Sequence, residues 1–430
     1  MRALIVACAL MWAGPVLAQE APPPRETVAA VAGAVRGVYF DPAKGDRIAD
    51  ELEAEAASGA FDLLTDPRDL ATVLTRRLKP EDAHFNVVWD PEAPQAAPPL
   101  PRPGLRRPPQ DGAPPAPPPS VVRGNFGFTD VRILPGNVGY VEMKSFANIF
   151  FGDPDDPARR RADAVLDFLS GTDAIIIDLR DNGGGAPSMV GYLVSAFVGP
   201  DRDVYNVFHS RDGTAREAPE VFHPAPRLDV PVYILTSGRT GSAGEAFPYT
   251  LQAAERATIV GEASGGAANP GGMVPVGGRF MVFVSGGSPK NPLTGGNWEG
   301  TGVVPDVAAP WDRALEAAHL LALDAILQKE PGRTDAQWAA QALRAEPVEV
   351  DLAPYAGVYG DWTLTADGGG LRASRGRRPA WTLIPLGDDV FMRAGDPGMR
   401  VVFLRDGEGA LTGFDLTGVN GPASRVRRTP

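Results

Sequence analysis

Apolar residues first recur at helical spacing: Val28, Val31, Val35 and the Val38–Tyr39 pair, then Ile48, Leu52 and Ala56. Steps of three and four put such residues on one face of a helix. Gly59 and the Thr65-Asp66-Pro67 cluster break the pattern, and Leu70, Val73, Leu74 and Leu78 resume it. A small helical bundle is predicted over 19–90. From 91 to 122 the periodicity gives way to prolines, with Ala, Gly and Gln between them. Such a stretch builds neither helix nor ladder and reads as an extended, solvated linker.

Beyond it the pattern alternates. A strand is predicted over 138–142 and a helix over 159–169. The run Ala174-Ile175-Ile176-Ile177-Asp178-Leu179 has the β-branched, continuously apolar texture of a strand buried on both faces. A helix over 188–197, a buried strand over 230–236 and a helix over 244–256 follow. The alternation predicts an α/β core, assigned to 123–328. Helices over 314–327 and 335–345 lead out of it, the second within a connector at 329–349. In 350–430 short alternating segments are separated by Asp-Gly, Gly-Gly and Gly-Asp turns, the signature of a small antiparallel sheet or barrel.

The formal net charge of the 430-residue chain is -12, which excludes the basic face that nucleic acid requires. At the N-terminus Arg2 precedes an apolar stretch from Ala3 to Trp12, and Val16-Leu17-Ala18 ends on a small residue. This is the layout of a signal peptide over 1–18. A membrane anchor needs about 20 apolar residues, and Gly14 and Pro15 interrupt this stretch too early. No other run is long enough to span a bilayer. The expectation is an exported protein, periplasmic or extracellular in a bacterial host. The one cysteine, Cys8, falls in the leader. Disulfides, thiolate metal sites and a cysteine nucleophile are therefore excluded from the mature chain.

Three segments carry candidate chemistry, and the first two each follow a buried strand. In Asp178-Leu179-Arg180-Asp181-Asn182-Gly183-Gly184-Gly185 the glycines free the backbone to turn sharply and aim N–H groups at an anion. A phosphate loop fits poorly, because its lysine and hydroxyl are missing. In Thr236-Ser237-Gly238-Arg239-Thr240-Gly241-Ser242-Ala243-Gly244-Glu245 the serine stands where loop becomes helix. Taken alone, Ser242 reads as an N-cap, with Glu245 completing a capping box. Hydrolases also place nucleophiles at such positions, where helix N–H groups can hold an oxyanion. The third segment, Trp298-Glu299-Gly300-Thr301-Gly302, is a glycine-rich loop with one carboxylate. A serine nucleophile needs a base, and the four histidines, His84, His209, His223 and His319, are not separated by local pattern.

Taken together these segments resemble the superfamily of tail-specific (C-terminal processing) proteases, the tricorn core and interphotoreceptor retinoid-binding protein. The similarity runs from about residue 26 to 310. It rests on Asp82-Ala83-His84, on Asp178 to Gly185, on Leu235-Thr236-Ser237, Thr240, Ser242-Ala243 and Glu245, and on Val260-Gly261-Glu262 at the following spacing. The resemblance implies a ClpP/crotonase-like α/β core with an N-terminal helical bundle and a small C-terminal antiparallel β domain. It implies Ser242 as nucleophile, with the N–H of Ala243 and of Gly184 as oxyanion hole. Processing proteases of the superfamily use a lysine in the segment that here reads Ala263 to Pro270, and Ala267 stands at that position. The chain therefore resembles the branch without the lysine, which implies His84 as base and Glu299 as orienting acid. The missing PDZ module leaves selection of protein C-termini without its usual device. The expected activity is hydrolysis of peptide bonds in a peptide or protein substrate, with no cofactor and no metal. Ester substrates would use the same residues. The alternative is a non-catalytic protein on the same fold, holding an apolar ligand or a peptide.

Overall fold

The computed structural model describes residues 22–93, 95, 116–346 and 348–429. The expected leader, its cleavage point, Cys8 and most of the proline-rich stretch lie outside the described residues. No described helix is long and apolar enough to cross a membrane. The chain forms two compact units that are not contiguous in sequence. Of the described residues, one gathers those from 22 to 95 with His209–Thr214 and Asn269–Ser288, and the other holds the remainder.

The first unit begins with the helices Pro24–Val38, Pro42–Ala57 and Pro67–Leu78. Each opens on proline, whose missing N–H is no loss in a first turn. Asp41 and Asp66 cap the second and third by accepting the N–H groups of Lys44 and Arg68. The apolar stripes read from the sequence face inward, with Val28, Val31, Val35, Ile48, Leu52, Leu70, Leu74 and Leu78 in one core. The unit also contains a three-stranded antiparallel sheet that the helical periodicity does not foretell. Its central strand, Phe280–Ser285, lies between Asn86–Trp89 and Gly271–Gly277. Phe280, Val282 and Val284 project from it into the helical core.

The second unit is built on a six-stranded sheet. Its order is Val307–Ala308, Thr258–Gly261, Val232–Thr236, Ala174–Asp178, Val138–Met143 and Phe128–Leu134. All neighbours are parallel except the last pair. The Ala174–Asp178 strand shows why its sequence is continuously apolar. Ile175 and Ile177 enter one core, while Ala174 and Ile176 enter a second core on the opposite face. On that second face lie the helices Ala314–Lys329 and Thr334–Arg344, through Ala318, Ala322, Ala336 and Ala340.

The chain ends in eight antiparallel strands, each paired with the next in sequence, from Gly357–Tyr359 to Ser424–Arg427. A bridge between Tyr359 and Arg428, and a bond from the Thr429 N–H to the Val358 carbonyl at 2.8 Å, join the first strand to the end of the last. The sheet is thus a closed barrel with no free edge. Its interior is filled by Tyr355, Tyr359, Trp362, Phe391, Phe403 and Phe414 among aliphatic neighbours. Eight strands leave just enough room for such side chains.

Candidate active site

In an open parallel sheet, ligands bind beyond the C-terminal ends of the strands. The loops that leave Asp178, Thr236 and Gly261 lie at that edge, since Asp178 pairs with Leu235 and Thr236 with Gly261. They are tied to one another by their own polar groups. The Thr240 hydroxyl donates to the Leu179 carbonyl at 2.7 Å, and the Thr236 hydroxyl donates to the Glu262 carbonyl at 2.8 Å. Gly261, at φ 129°, lies so close to its neighbour that a Cβ would stand 2.3 Å from the Thr236 carbonyl oxygen. Only glycine fits there.

Ser242 stands at the start of the helix Ala243–Ala253 and is exposed. Its backbone has φ 54° and ψ -122°, a combination that L-residues rarely adopt. The turn that produces it is held from both sides. Behind it, the Gly241 N–H donates to the Asn182 carbonyl at 2.9 Å. Ahead of it, the Ser242 N–H donates to Glu245 Oε2 at 2.8 Å. The capping box is laid out as the sequence predicts, but only this arm closes as a hydrogen bond; the serine hydroxyl makes no cap bond. The Glu245 N–H goes instead to the Ser242 carbonyl at 2.8 Å. The hydroxyl is thus left for other chemistry at the positive end of a helix.

Glu245 is fully buried and accepts four donors. Besides the Ser242 N–H these are the Ser264 hydroxyl and the Gly266 N–H, each at 2.6 Å, and the Ala267 N–H at 2.8 Å. One carboxylate therefore braces both the serine turn and the segment where a processing protease would carry its lysine. The next N–H along, that of Ala268, donates to Glu299 Oε2 at 2.9 Å.

Gly184 approaches Ser242 very closely. A Cβ built on it would lie 2.8 Å from the Ser242 Cβ and 3.2 Å from the Ala243 nitrogen, and its φ is 115°. The Gly184 N–H donates to Asn182 Oδ1 at 2.9 Å, closing an Asx turn. Asn182 is fully buried and also donates from Nδ2 to the Met143 carbonyl at 3.0 Å. Among the described residues the Ala243 N–H, in the first turn of its helix, makes no hydrogen bond.

Ser242, Ala243, Gly184 and Glu299 belong to the second unit, whereas His84 and Asp82 belong to the first. The other histidines have occupations of their own. His319 is buried in the helix Ala314–Lys329, with Nε2 against the Pro135 carbonyl at 2.8 Å. His223 lies edge-on to Tyr192, and its backbone N–H donates to the Ser195 hydroxyl at 2.9 Å. Burial holds both rings below the usual imidazole pKa. His209 is exposed. At His84, Nδ1 lies 3.1 Å from Asp82 Oδ1, and the ring stacks on Phe283 with centroids 5.9 Å apart. Sequence reasoning quoted Asp82 only as part of a motif and gave it no role.

Residues 137–309 match the model of peptidase family S41. Over that span the core is similar to the family. The matched span runs from the Val138–Met143 strand to the Val307–Ala308 strand, and so contains Gly184, Ser242, Glu245 and Glu299. Among solved structures, a candidate peptidase from Parabacteroides merdae is 19% identical, over 70% of this chain and 97% of that one, with a TM-score of 0.47. The photosystem II D1 C-terminal processing protease is 16% identical, over 67% and 94% respectively, with a TM-score of 0.42. The tricorn protease is 15% identical over 45% of this chain and 18% of that one, with a TM-score of 0.32. S41 peptidases are serine hydrolases.

Proposed function

We propose that the chain is an exported serine peptidase that cleaves peptide bonds through an acyl-enzyme on Ser242, with His84 as base. The supporting observation is the backbone at Ser242. A non-glycine residue at φ 54°, ψ -122° is strained, at a cost of about 1–3 kcal/mol. A plain N-cap has no need of it, because caps sit in the β region. A nucleophile does, because the sharp turn lifts the hydroxyl clear of its own helix and sets it beside the first N–H groups.

In the proposed reaction the Ser242 Oγ–H proton passes to His84 Nε2 as Oγ bonds to the scissile carbonyl carbon. The Ala243 N–H stabilises the resulting oxyanion. As the C–N bond breaks, His84 returns the proton to the leaving amine. His84 then takes a proton from water, the hydroxide attacks the acyl carbon, and the C–Oγ bond breaks with that proton returning to Ser242. Glu299 is the acid that the resemblance assigns to orientation of the base. For Gly184 to join the oxyanion hole, its N–H would first have to leave Asn182.

Labelling with a fluorophosphonate probe tests this reading. The mature protein is expected to label at one site, and both Ser242→Ala and His84→Ala to lose labelling while keeping the wild-type circular dichroism. A folded wild type that stays unlabelled would contradict the hydrolase reading and favour ligand binding on the same fold.

A further inference from the structure

The geometry points to Asp82 as the positioning residue of His84: its carboxylate accepts the Nδ1 proton and leaves Nε2 as the basic nitrogen. This rests on the proposal that His84 is the base, and it supplies an acid from the histidine's own unit, beside the one implied by resemblance.

The arrangement is built rather than incidental. Asp82 Oδ1 accepts the His84 backbone N–H at 2.9 Å and faces Nδ1 at 3.1 Å, so one oxygen fixes both the backbone and the ring of the same residue. The other oxygen is held by the Tyr39 hydroxyl at 3.3 Å and by Asn269 Nδ2 at 3.4 Å. The Asp82 side chain is 1% exposed against 18% for His84, so the acid is sealed while the ring is partly exposed. Phe283 supports the ring face, fixing its plane. Burial alone would raise the Asp82 carboxyl. Hydrogen bonds from the His84 ring and backbone outweigh it and pull the pKa down to about 2. The group is therefore a carboxylate in neutral solution, and acceptor only. A carboxylate facing Nδ1 selects the tautomer with the proton on Nδ1, because the other tautomer would oppose two lone pairs. The same contact stabilises the imidazolium that forms when the Ser242 proton arrives.

Two readouts separate this inference from the proposal beneath it. The first is the ring tautomer of neutral His84 by 15N NMR on the intact protein, which needs no activity. The expected result is the Nδ1–H form in the wild type, giving way to a mixture in Asp82→Ala. In Asp82→Asn the amide oxygen can still accept from Nδ1, so the tautomer should persist without the charge. The second readout is turnover of a peptide substrate. We expect kcat to fall about 10²–10⁴-fold in Asp82→Ala and less in Asp82→Asn, with KM within about threefold of wild type. An Nε2–H tautomer in the wild type would overturn the inference whether or not the protein is active. So would a folded Asp82→Ala that keeps wild-type tautomer and kcat. An unlabelled, inactive wild type with an Nδ1–H ring would instead overturn the hydrolase reading and leave the contact standing.

Discussion

In the C-terminal barrel the backbone takes positive φ at Asp388 and Asp389, 49° and 62°, whereas in the α/β core Ser242 does so at 54°, alongside Asn125, Phe126, Asn137 and Glu255. The first pair forms the two-residue turn between the strands Trp381–Gly387 and Val390–Arg393. A tight hairpin demands positive φ at both central positions. No turn of that kind is needed where a helix begins. The two regions also bury different things. The barrel interior is a set of aromatic rings in edge contact, with centroids 4.8–5.3 Å apart around Tyr355, Phe391 and Phe403. The core, by contrast, buries Asn182, Glu245 and Glu217 beside its apolar layers. In the barrel the strain sits in a turn, and Arg400 is the one buried charged or polar residue among the described residues there. Where strain and buried polarity gather away from turns, around one exposed hydroxyl, chemistry is the economical explanation.

The largest effect that sharpens this contrast is expected from Gly184→Ala. The added methyl would meet the Ser242 Cβ at 2.8 Å at a backbone position of φ 115°. Turnover should fall by about 10²-fold or more, because the serine turn must shift, and stability should fall by about 2–3 kcal/mol. Matched glycine-to-alanine changes at the open barrel turns Gly368 and Gly376, where a Cβ meets nothing within 4 Å, should leave labelling at the wild-type rate. Loss of labelling in those variants would break the comparison.

Next comes Glu217, 4% exposed in the core, whose Oε2 accepts from Asn206 Nδ2 at 2.6 Å. Burial outweighs that hydrogen bond and pushes its carboxyl up to about 8. In the unfolded chain the group ionises near pH 4.5, while in the fold it stays protonated to about pH 8. The native state thus binds the extra proton across this window, and stability falls as pH rises through it. The contribution is fully present below about pH 4.5 and lost by about pH 8. Glu217→Gln should flatten this part of the Tm-versus-pH profile and stabilise the protein near pH 8 by on the order of 2–3 kcal/mol. A profile unchanged by the substitution would contradict it.

Much of this arrangement is legible in the sequence, and what is hidden has a physical reason. The two-faced burial of Ala174–Asp178 is announced by its β-branched run, and the α/β alternation by helical periodicity between such runs. The hairpin of Gly271–Gly277 and Phe280–Ser285 carries a local signal, since Val274, Val276, Phe280, Val282 and Val284 alternate around Gly277-Gly278. Nothing local says that it completes a sheet with Asn86–Trp89, because pairing between distant segments is fixed by the cores they share. The eight short strands are likewise readable one by one, but the Tyr359–Arg428 bridge that closes them is not. At the site, Ser242 was singled out and its strained backbone was not. The two Asx turns, Asp82 to His84 and Asn182 to Gly184, share an i to i+2 spacing visible in the sequence. Either could have been predicted from a short polar side chain two residues ahead of a functional backbone N–H. Reading them would have pointed to Asp82 beside His84 and to Asn182 beside Gly184.

The smallest effect probes the strain itself. Ser242→Gly should raise stability by about 1 kcal/mol, since glycine adopts this backbone freely, and should abolish labelling. Asp388→Gly relieves strain in the barrel turn to a similar or smaller degree and should leave labelling intact. If Ser242→Gly is no more stable than Ser242→Ala by chemical denaturation, the turn is not strained and the comparison fails.

The central claim is that the Ser242 hydroxyl becomes acylated. It is tested most directly by mixing the protein with an activated p-nitrophenyl ester, quenching in acid during the burst, and mapping the acyl group by mass spectrometry. The account predicts one acyl group per chain, on the peptide containing Ser242, and none in Ser242→Ala. Acylation of any other residue at full stoichiometry, or none in the folded wild type, would contradict it.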